Sequence, residues 1–430
     1  MAILMFVIML AGLLLSIPIA VALGLATIYP SLANPAFAAN IEYVIRNIVA
    51  ALDSTPTLAI PLFILSGNIM TKGKISDKLF NFFAYLIGDF PAGMPITAII
   101  TCLFYGAISG SGVATTAAVG SMAIPFLIEL GYDKVFCAAM VATAGALGVI
   151  IPPSIPMVTY GVVTGVSIGD LFVGGIFPGI LIGFSLMVFA FIHVKKHGED
   201  REKISHRVRT LREKGFLNIL KDSFWALLTP VIILGGIYSG IVTPTEAAVI
   251  SVFYALLVCI FIYKSLTLKN LGAIMVETVR SYAPIVVLLS LAIVFGRVLS
   301  LLQAPIMLRD FILINFAGNR YIFLLVLNII LIILGMFMDV GPVIAILAPM
   351  LLPAAVELGI NPVHLGIIMV INLAIGMATP PFGVDLFVAA PMIKEQVMKV
   401  GIAAIPFVIF FIIALFIITY VPQLTLLLIQ

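Results

Sequence analysis

The feature of this sequence that most constrains its fold is a pattern of proline, glycine and glutamate residues that occurs twice. Each copy reads P-x-x-x-E-x-G and then G-x-x-x-P-P. The first copy comprises Pro125, Glu129, Gly131, Gly148, Pro152 and Pro153, and the second comprises Pro353, Glu357, Gly359, Gly376, Pro380 and Pro381. A constant offset of 228 residues relates all the pairs. A duplicated unit with a Pro-Pro break is typical of secondary transporters, in which helices interrupted at the bilayer midplane form the substrate and ion sites.

The composition agrees with a membrane location. Of the 430 residues, 63% are hydrophobic and 10% are charged, whereas a soluble domain carries about 25% charged residues. Apolar runs of about 20 residues, long enough to cross a bilayer, recur along the chain. The sequence therefore predicts an all-α polytopic membrane protein and excludes a β-barrel, which alternates apolar and polar residues. The run 2–29 has no preceding basic residue or clear cleavage site, so we expect retained membrane structure and not a signal peptide.

One segment near the midpoint is strongly charged. Residues 195–214 carry a net charge of +4, while the whole chain carries +3. The positive-inside rule places this segment in the cytoplasm, and the lack of interleaved aromatic residues argues against a nucleic-acid site. We interpret it as a basic linker between a first repeat, 1–194, and a second repeat, 215–430.

Each repeat contains an apolar segment that is too long for one span and is interrupted by small or polar residues. Segment 94–130 is interrupted at 109–112, and segment 320–358 at 339–342. Non-helical backbone at membrane depth is tolerated only inside protein or beside a water-filled cavity. We therefore predict two re-entrant hairpins with tips at the midplane, in addition to about 10–11 transmembrane helices. The broken helices follow at 134–165 and 362–390.

The remaining charges predict the orientation of the hairpins. The basic residues expected in the cytoplasm are Lys72, Lys74, Lys78, Lys264, Lys269, Arg280, Lys394 and Lys399. The first hairpin then enters from the cytoplasm and the second from the opposite side, which makes the halves an inverted repeat. The N-terminal run leaves two alternatives. It forms either two helices broken near Ser16-Ile17-Pro18, with both termini outside, or one long helix with the N-terminus inside.

The Pro-Pro breaks supply oxygen atoms that suit a cation. Proline has no N–H, so it leaves the carbonyl four residues earlier without its helical partner. The carbonyls concerned are those of Gly148 and Val149 in the first copy and of Gly376 and Met377 in the second. An unpaired carbonyl in hydrocarbon is costly, and a hard cation such as Na⁺ can satisfy it. The other candidate ligands are the hydroxyls of Ser109, Ser111 and Thr379 and the carboxylate of Asp339.

Helix N-termini at the hairpin tips suit an anion. Residues 111–116 open one helix, and Gly341-Pro342 opens another with proline in its first turn. Free N–H groups at these positions favour negative charge. Cation ligands beside such groups fit Na⁺-coupled uptake of a carboxylate. The alternative is that the glycines and prolines only kink helices and let them pack closely.

Two further carboxylates, and the absence of enzyme motifs, bear on the function. Asp385 lies in an apolar segment after the second break and is a functional candidate, because charges at membrane depth are rare. Glu246, in Thr243-Pro244-Thr245-Glu246, is as consistent with a helix cap. The sequence has no P-loop, zinc-protease or nucleophile-elbow motif. We predict no enzyme activity and no ATP hydrolysis, and the sparse charges disfavour a channel.

Several stretches resemble the large membrane subunit of TRAP (tripartite ATP-independent periplasmic) transporters. The most specific is 235–248, and the others are 109–115, 148–156 and 376–385. The resemblance covers essentially the whole chain. It implies an elevator-type, Na⁺-driven importer of organic acids, including C4-dicarboxylates and sialic acid, in the bacterial inner membrane. It also implies two partners, a separate small four-helix membrane subunit and a periplasmic substrate-binding protein. The alternative is a self-sufficient Na⁺/carboxylate symporter.

The resemblance further implies the coupling ion and its ligands. No cofactor is expected, and Na⁺ would occupy two sites, one in each repeat. The first would use Ser109, Ser111, Gly148, Ile151 and Pro153, and the second would use Asp339, Gly376, Thr379 and Pro381. The substrate would lie near Gly112, Thr115, Gly341 and Asp385. The offset of 228 places Phe337 opposite Ser109, so the two sites cannot use identical ligands.

Overall fold

The computed structural model describes residues 1–15, 17–53, 55–315 and 318–429. Within these ranges every regular element is helical, which confirms the all-α prediction. The first repeat contains α1 (Ala2–Leu14), α2 (Ile19–Ala33), α3 (Ile41–Leu52), α4 (Ala59–Lys72), α5 (Ile75–Ile87), α6 (Gly93–Ser109), α7 (Gly112–Glu129), α8 (Lys134–Gly145), α9 (Ile155–Thr164) and α10 (Ile168–His197). The basic linker forms α11 (Arg201–Arg212). The second repeat contains α12 (Phe216–Tyr238), α13 (Pro244–Leu256), α14 (Leu268–Leu301), α15 (Ala304–Asn315), α16 (Arg320–Phe337), α17 (Val340–Glu357), α18 (Pro362–Met377), α19 (Val384–Met392), α20 (Val397–Tyr420) and α21 (Gln423–Leu426).

The lengths of these helices agree with a polytopic membrane protein. In the described ranges, eight helices are long and apolar enough to cross a membrane, or nine if α3 and α4 form one bent span. Other apolar helices are shorter, and α8 with α9 and α18 with α19 form consecutive pairs. Each pair is interrupted at a Pro-Pro step, and the Pro152-Pro153 and Pro380-Pro381 peptide bonds are both cis. Each half of the chain therefore contains one broken helix.

The helices repeat at the offset that relates the sequence copies. The ends of α6 and α16, and both ends of α7 and α17, lie at positions that differ by 228 residues. A glycine with positive φ follows α7 and α17, Gly131 at 95° and Gly359 at 72°. Glycine adopts this left-handed conformation without a steric penalty. The two helical hairpins, α6–α7 and α16–α17, therefore end in the same kind of turn.

The open ends of the two hairpins lie at opposite ends of the molecule. At one end, the Tyr132 hydroxyl donates to Glu199 at 2.6 Å, which joins the exit of the first hairpin to the basic linker. At the other end, the Tyr160 hydroxyl donates to the Pro362 carbonyl at 2.8 Å, which joins the end of α9 to the exit of the second hairpin. Because α8 and α9 run from the first of these ends to the second, the hairpins enter from opposite ends. This arrangement agrees with the predicted inverted repeat.

Polar side chains cap the helices around the hairpins. Asp133 accepts a hydrogen bond from the Phe136 amide at 2.8 Å at the start of α8, and the Ser154 side chain caps α9. Such caps satisfy N–H groups that the helix itself leaves unpaired. Glu246 is also a cap, because Thr243 and Glu246 form a reciprocal capping box at the start of α13. The capping interpretation of Glu246 is therefore correct.

The N-terminal run and the start of α14 both differ from a single continuous apolar helix. The N-terminal run forms two helices, α1 and α2, as one of the two alternatives predicts, while Ser16 of the expected break lies outside the described residues. The α14 helix begins well before its apolar part and includes Lys269, Glu277 and Arg280. A search for continuous apolar runs misses such a start, because an amphipathic turn interrupts the run with polar residues.

Glycines at both breaks let helices approach closely. A Cβ atom placed on Gly148 would lie 2.4 Å from the Thr115 hydroxyl and 2.5 Å from the Ser111 carbonyl oxygen. A Cβ atom placed on Gly376 would lie 2.3 Å from the Gly335 carbonyl carbon. Side chains cannot occupy such distances, so small residues are required for this backbone contact.

We expect Gly376→Ala to lower the thermal unfolding temperature of the detergent-solubilised protein. The added methyl group meets backbone atoms that cannot rotate away, and overpacking of this kind costs about 1–3 kcal/mol. Gly235→Ala is the matched control, because a Cβ atom at that position in α12 meets nothing within 4 Å. An equal unfolding temperature for the two variants would contradict the close contact between α16 and α18.

We expect single cysteines at Glu129 and Glu357 to react from opposite sides of the membrane with an impermeant thiol reagent. These residues are exposed, end α7 and α17, and are related by the repeat. The natural Cys102, Cys137 and Cys259 are buried, so they give little background labelling. Labelling is compared in intact cells and in inside-out vesicles, with Glu129→Cys expected to react from the cytoplasm. Reaction of both variants from the same side would contradict the inverted repeat.

Candidate functional site

A cavity of about 540 Å³ lies between the two hairpin tips and the helices α4 and α14. The first tip is the point where α6 meets α7, and the second tip is the point where α16 meets α17. Ser109 and Ser111 line the cavity from the first tip, and Asp339 and Gly341 line it from the second. Four of the predicted site residues, contributed by both repeats, therefore meet at one cavity.

The first tip is held by its own hydroxyl groups. The Ser109 and Thr115 hydroxyls are 2.8 Å apart, and Thr115 also donates to the Ser111 carbonyl at 2.8 Å. The Ser111 side chain caps α7 by accepting a hydrogen bond from the Ala114 amide at 3.4 Å. These contacts fix the orientation of several oxygen atoms before any ligand arrives.

The first tip also contacts the first break, between α8 and α9. The Ile155 amide donates to the Gly110 carbonyl at 3.2 Å. A Cβ atom on Gly110, where φ is 65°, would lie 2.8 Å from the Pro153 carbonyl oxygen. Four of the five residues predicted for the first cation site are therefore neighbours: Ser109, Ser111, Gly148 and Pro153. Ile151 lies in the same break, and its side chain packs on α10 at Gly179.

Two of the four carbonyls expected to be free have local partners. The Ser154 hydroxyl donates to the Val149 carbonyl at 2.5 Å. The Thr379 amide donates to the Gly376 carbonyl at 3.0 Å, in a tight turn that follows α18. The prediction that proline leaves these two oxygens unpaired is wrong, because the residue beside each Pro-Pro pair supplies a donor.

Other carbonyls at the breaks accept no hydrogen bond from any described residue. In the first break these are the carbonyls of Gly148, Ile151 and Pro153, and in the second they are those of Met377 and Pro381. Pro381 is exposed, but the other four residues are buried, and buried carbonyls are almost always paired, so those four exceptions need an explanation. Because the first group lies beside the first tip, these oxygens are available to a cation there.

The second tip has the same arrangement with a charged side chain. Asp339 occupies the position related to Ser111 by the repeat, and it caps α17 by accepting a hydrogen bond from the Val340 amide at 2.8 Å. Thr379 lies in the second break, between α18 and α19, where its hydroxyl donates to the Ile375 carbonyl at 2.6 Å. The second tip therefore offers a carboxylate where the first offers a hydroxyl.

An aromatic pair distinguishes the second tip further. The rings of Phe337 and Phe382 lie 5.3 Å apart, between the second tip and the second break. The repeat relates these residues to Ser109 and Ser154 of the first half. The second tip therefore has fewer hydroxyl ligands, and an apolar contact joins it to the adjacent break.

The charges around the cavity are negative. Asp339 and Glu277 line it, and the part of the chain that the structure describes places no lysine or arginine in its wall. Lys72 forms an ion pair with Glu277 at 3.2 Å, with both side chains about half exposed. The remaining favourable positions for an anion are the N-terminal ends of α7 and α17, which carry partial positive charge.

The residues predicted near the substrate lie at different depths. Gly341 faces the cavity, and a Cβ atom there would meet nothing within 4 Å. Gly112, Thr115 and Asp385 are buried behind the first tip and do not line the cavity. Only Gly341 of this group is placed where it can contact a ligand in the cavity.

The wall opposite the tips was not predicted from the sequence. It includes Asn68 and Thr71 of α4 and Glu277 and Ser281 of α14. The Asn68 amide donates to the Thr278 hydroxyl at 3.0 Å, which ties these two helices together. Polar side chains within apolar helices are a signal for such a wall, and Asn68 is the residue that this signal identifies.

Comparisons with known proteins agree with this architecture. Residues 4–424 match the family model described as the tripartite ATP-independent periplasmic transporter, DctM component. The chain is 42% identical over 410 residues to the isethionate TRAP transporter permease protein DctMQ of Oleidesulfovibrio alaskensis, covering 95% of this chain and 63% of that protein. It is 40% identical over 370 residues to the C4-dicarboxylate TRAP transporter large permease protein DctM of Pseudomonas aeruginosa, covering 86% of this chain and 85% of that protein.

Two further comparisons extend these findings. The chain is 35% identical over 390 residues to the sialic acid TRAP transporter large permease protein SiaM of Vibrio cholerae, with 90% of each chain covered. In fold, it resembles the crystal structure of the Alcanivorax borkumensis YdaH transporter, with a TM-score of 0.60, 13% identity and 89% of each chain covered. The chain is therefore a multi-pass protein of the bacterial inner membrane that belongs to the DctM component family of the tripartite ATP-independent periplasmic transporters.

Proposed function

We propose that this chain is the permease subunit of a Na⁺-coupled importer of an organic acid. The observation that carries the proposal is the meeting of the first tip with the first break at the wall of the cavity. At this point the hydroxyls of Ser109 and Ser111 lie beside the unpaired carbonyls of Gly148 and Pro153. Neutral oxygen atoms at membrane depth suit a monovalent cation, which avoids the cost of leaving them unpaired.

The second cation site is proposed at the second tip. Asp339 supplies a carboxylate there, and the carbonyl of Pro381 accepts no hydrogen bond from the described residues. The side-chain oxygen of Thr379 and the carbonyl of Gly376 complete the proposed ligand set. Thr379 donates its proton to Ile375 and keeps its lone pairs, and the Gly376 carbonyl accepts from the Thr379 amide and has a second lone pair. A carboxylate makes this site the more strongly binding of the two, because charge-assisted contacts are about twice as strong as neutral ones.

The cavity explains why substrate and ion would be coupled. An organic anion that enters meets the carboxylate of Asp339, while Glu277 in the same wall is paired with Lys72. Like charges repel, so the anion binds well only after cations have made the site positive. The N-termini of α7 and α17 then orient its acid group. The named relatives carry isethionate, C4-dicarboxylate and sialic acid, and we propose a substrate from this broad group of organic acids.

We propose an elevator movement for the transport step. The hairpins and the broken helices contact one another: a Cβ atom on Gly112 would lie 3.1 Å from the Met377 side chain, and Gly376 packs on Gly335. This body would slide along α4 and α14, which form the opposite wall of the cavity. Because the hairpins enter from opposite ends, each would close the cavity from one side of the membrane.

The proposed partners are a small membrane subunit and a periplasmic substrate-binding protein. The tripartite family supports both, and the chain spans 63% of the longer DctMQ relative. The test is uptake by vesicles that contain this chain with the small subunit, with and without the binding protein added outside. Uptake is expected only when all three components are present. Full uptake without the binding protein would support a self-sufficient symporter instead.

A further inference from the structure

Asp385 belongs to the second repeat, but its side chain lies against the first tip. It stands in the first turn of α19, and a Cβ atom placed on Gly112 would lie 3.2 Å from one of its carboxylate oxygens. Asp385 is 0% exposed, and among the described residues neither of its oxygens has a hydrogen-bond partner at good geometry. The Thr116 hydroxyl lies beside the carboxylate and also has no partner of good geometry. Three buried oxygen atoms therefore lie together, two from the carboxylate and one from the hydroxyl, and the hydroxyl proton is the one donor that they contain.

This arrangement is unstable without a positive charge. An ionised carboxylate that is buried and unpaired is one of the most costly groups in a protein. The titratable groups that interact with Asp385 are Asp339 of the second tip and the Cys102 thiol of α6. Neither is basic, and no lysine, arginine or histidine of the described residues is among the groups that interact with Asp385. The compensating charge must come from outside the chain.

We propose that Asp385 and Thr116 form a third cation site, which binds Na⁺. A cation can contact all three oxygens at once and neutralise the carboxylate, whereas a proton neutralises it by binding a single oxygen. Gly145 and Gly112 let these oxygens pack closely, since a Cβ atom on Gly145 would lie 1.8 Å from the Thr116 hydroxyl and one on Gly112 would lie 3.2 Å from the Asp385 carboxylate. Hard monovalent cations take oxygen ligands, and a carboxylate with a hydroxyl supplies two kinds.

The third site, unlike the two tip sites, has no counterpart in the other repeat. The repeat relates Asp385 to Met157, which has no ligand oxygen in its side chain. The site therefore exists once, where the first tip meets the second repeat. An ion bound there would link α7 to α19 and would hold the moving body together. The inference rests on the proposed Na⁺-coupled transport, because that function supplies Na⁺ as the ion.

The first test counts bound ions. Radioactive Na⁺ is measured by equilibrium dialysis on the purified complex with the small subunit, and the Na⁺-to-substrate ratio is measured from the reversal potential in vesicles. Asp385→Asn, which keeps the side-chain shape, is expected to lower both numbers by one ion while uptake still requires Na⁺. Asp222→Asn, an exposed carboxylate on α12, is the matched control and should keep the parental values.

A second variant tests the site without changing the carboxylate. Thr116→Val removes the hydroxyl and keeps the side-chain volume, so we expect the same ion count at saturation and a severalfold higher Na⁺ concentration for half-occupancy. Parental ion counts in Asp385→Asn would overturn the third site. A parental Na⁺ count together with one proton moved per substrate, read from a pH-sensitive dye in the vesicles, would assign Asp385 to a proton. If the parental protein binds no Na⁺ at all, the proposed function itself fails.

Discussion

Uptake of the organic acid is expected to fall to background when choline replaces Na⁺, in vesicles that contain both membrane subunits and receive the loaded binding protein. The cavity wall contains the carboxylate of Asp339, and Glu277 in the same wall is paired with Lys72. A negative charge placed about 4 Å from one carboxylate is disfavoured by about 4 kcal/mol at an effective dielectric constant of 20. This energy corresponds to a loss of about a thousandfold in affinity. Bound Na⁺ removes the penalty.

The matched condition replaces choline by K⁺, which tests whether size selects the ion. A membrane potential, negative inside, should increase uptake if more positive than negative charge enters, because the potential contributes about 2.3 kcal/mol per charge per 100 mV. The measurement is the initial rate of entry of labelled substrate. Equal rates in Na⁺ and choline would show that the unpaired carbonyls at the breaks do not bind the coupling ion.

Asp339→Asn is expected to raise the Na⁺ concentration for half-maximal uptake by at least tenfold. Contacts to a charged ligand contribute about 1.5–3 kcal/mol, and each 1.4 kcal/mol is a factor of ten. Asparagine is as good a helix cap as aspartate, so the start of α17 is preserved. Ser111→Gly should have a smaller effect, about fivefold, because it removes one neutral ligand at a position where glycine is also a tolerated cap.

The control for these variants is Ser121→Ala. Ser121 lies on α7, away from the tip, where its hydroxyl donates to the Ala118 carbonyl at 3.0 Å. The Ser121→Ala variant should therefore keep the parental Na⁺ concentration for half-maximal uptake. If Asp339→Asn and Ser111→Gly also keep the parental value while the thermal unfolding temperature is unchanged, the two tips do not hold the ions.

Much of the architecture could be predicted from residue patterns. The constant offset of 228 residues identified the repeat, and the helix ends of both hairpins follow it. The interruptions at 109–112 and 339–342 fall where α6 meets α7 and α16 meets α17. Such an interruption can be read from a few neighbouring residues. It is informative because non-helical backbone at membrane depth is tolerated only inside protein or beside a water-filled cavity.

The pairing of the freed carbonyls could not be predicted in full. Proline removes one donor at a known position, but the replacement donor depends on how the next residues turn. The Ser154 hydroxyl reaches Val149 and the Thr379 amide reaches Gly376, whereas the carbonyls of Gly148 and Met377 have no such partner in the part of the chain that the structure describes. These differences arise from the geometry of the breaks, so sequence reasoning overestimated the number of free oxygens.

The sequence by itself determined the membrane class, the inverted repeat and the residues at the tips, because these depend on local composition and on spacing along the chain. The tertiary structure decided which distant residues share the cavity and which are buried behind it. Glu277 enters the wall because α14 packs against α4, and Asp385 reaches the first tip because α19 packs against α7. Such contacts join residues more than two hundred positions apart, and their formation depends on how the apolar faces of whole helices fit together.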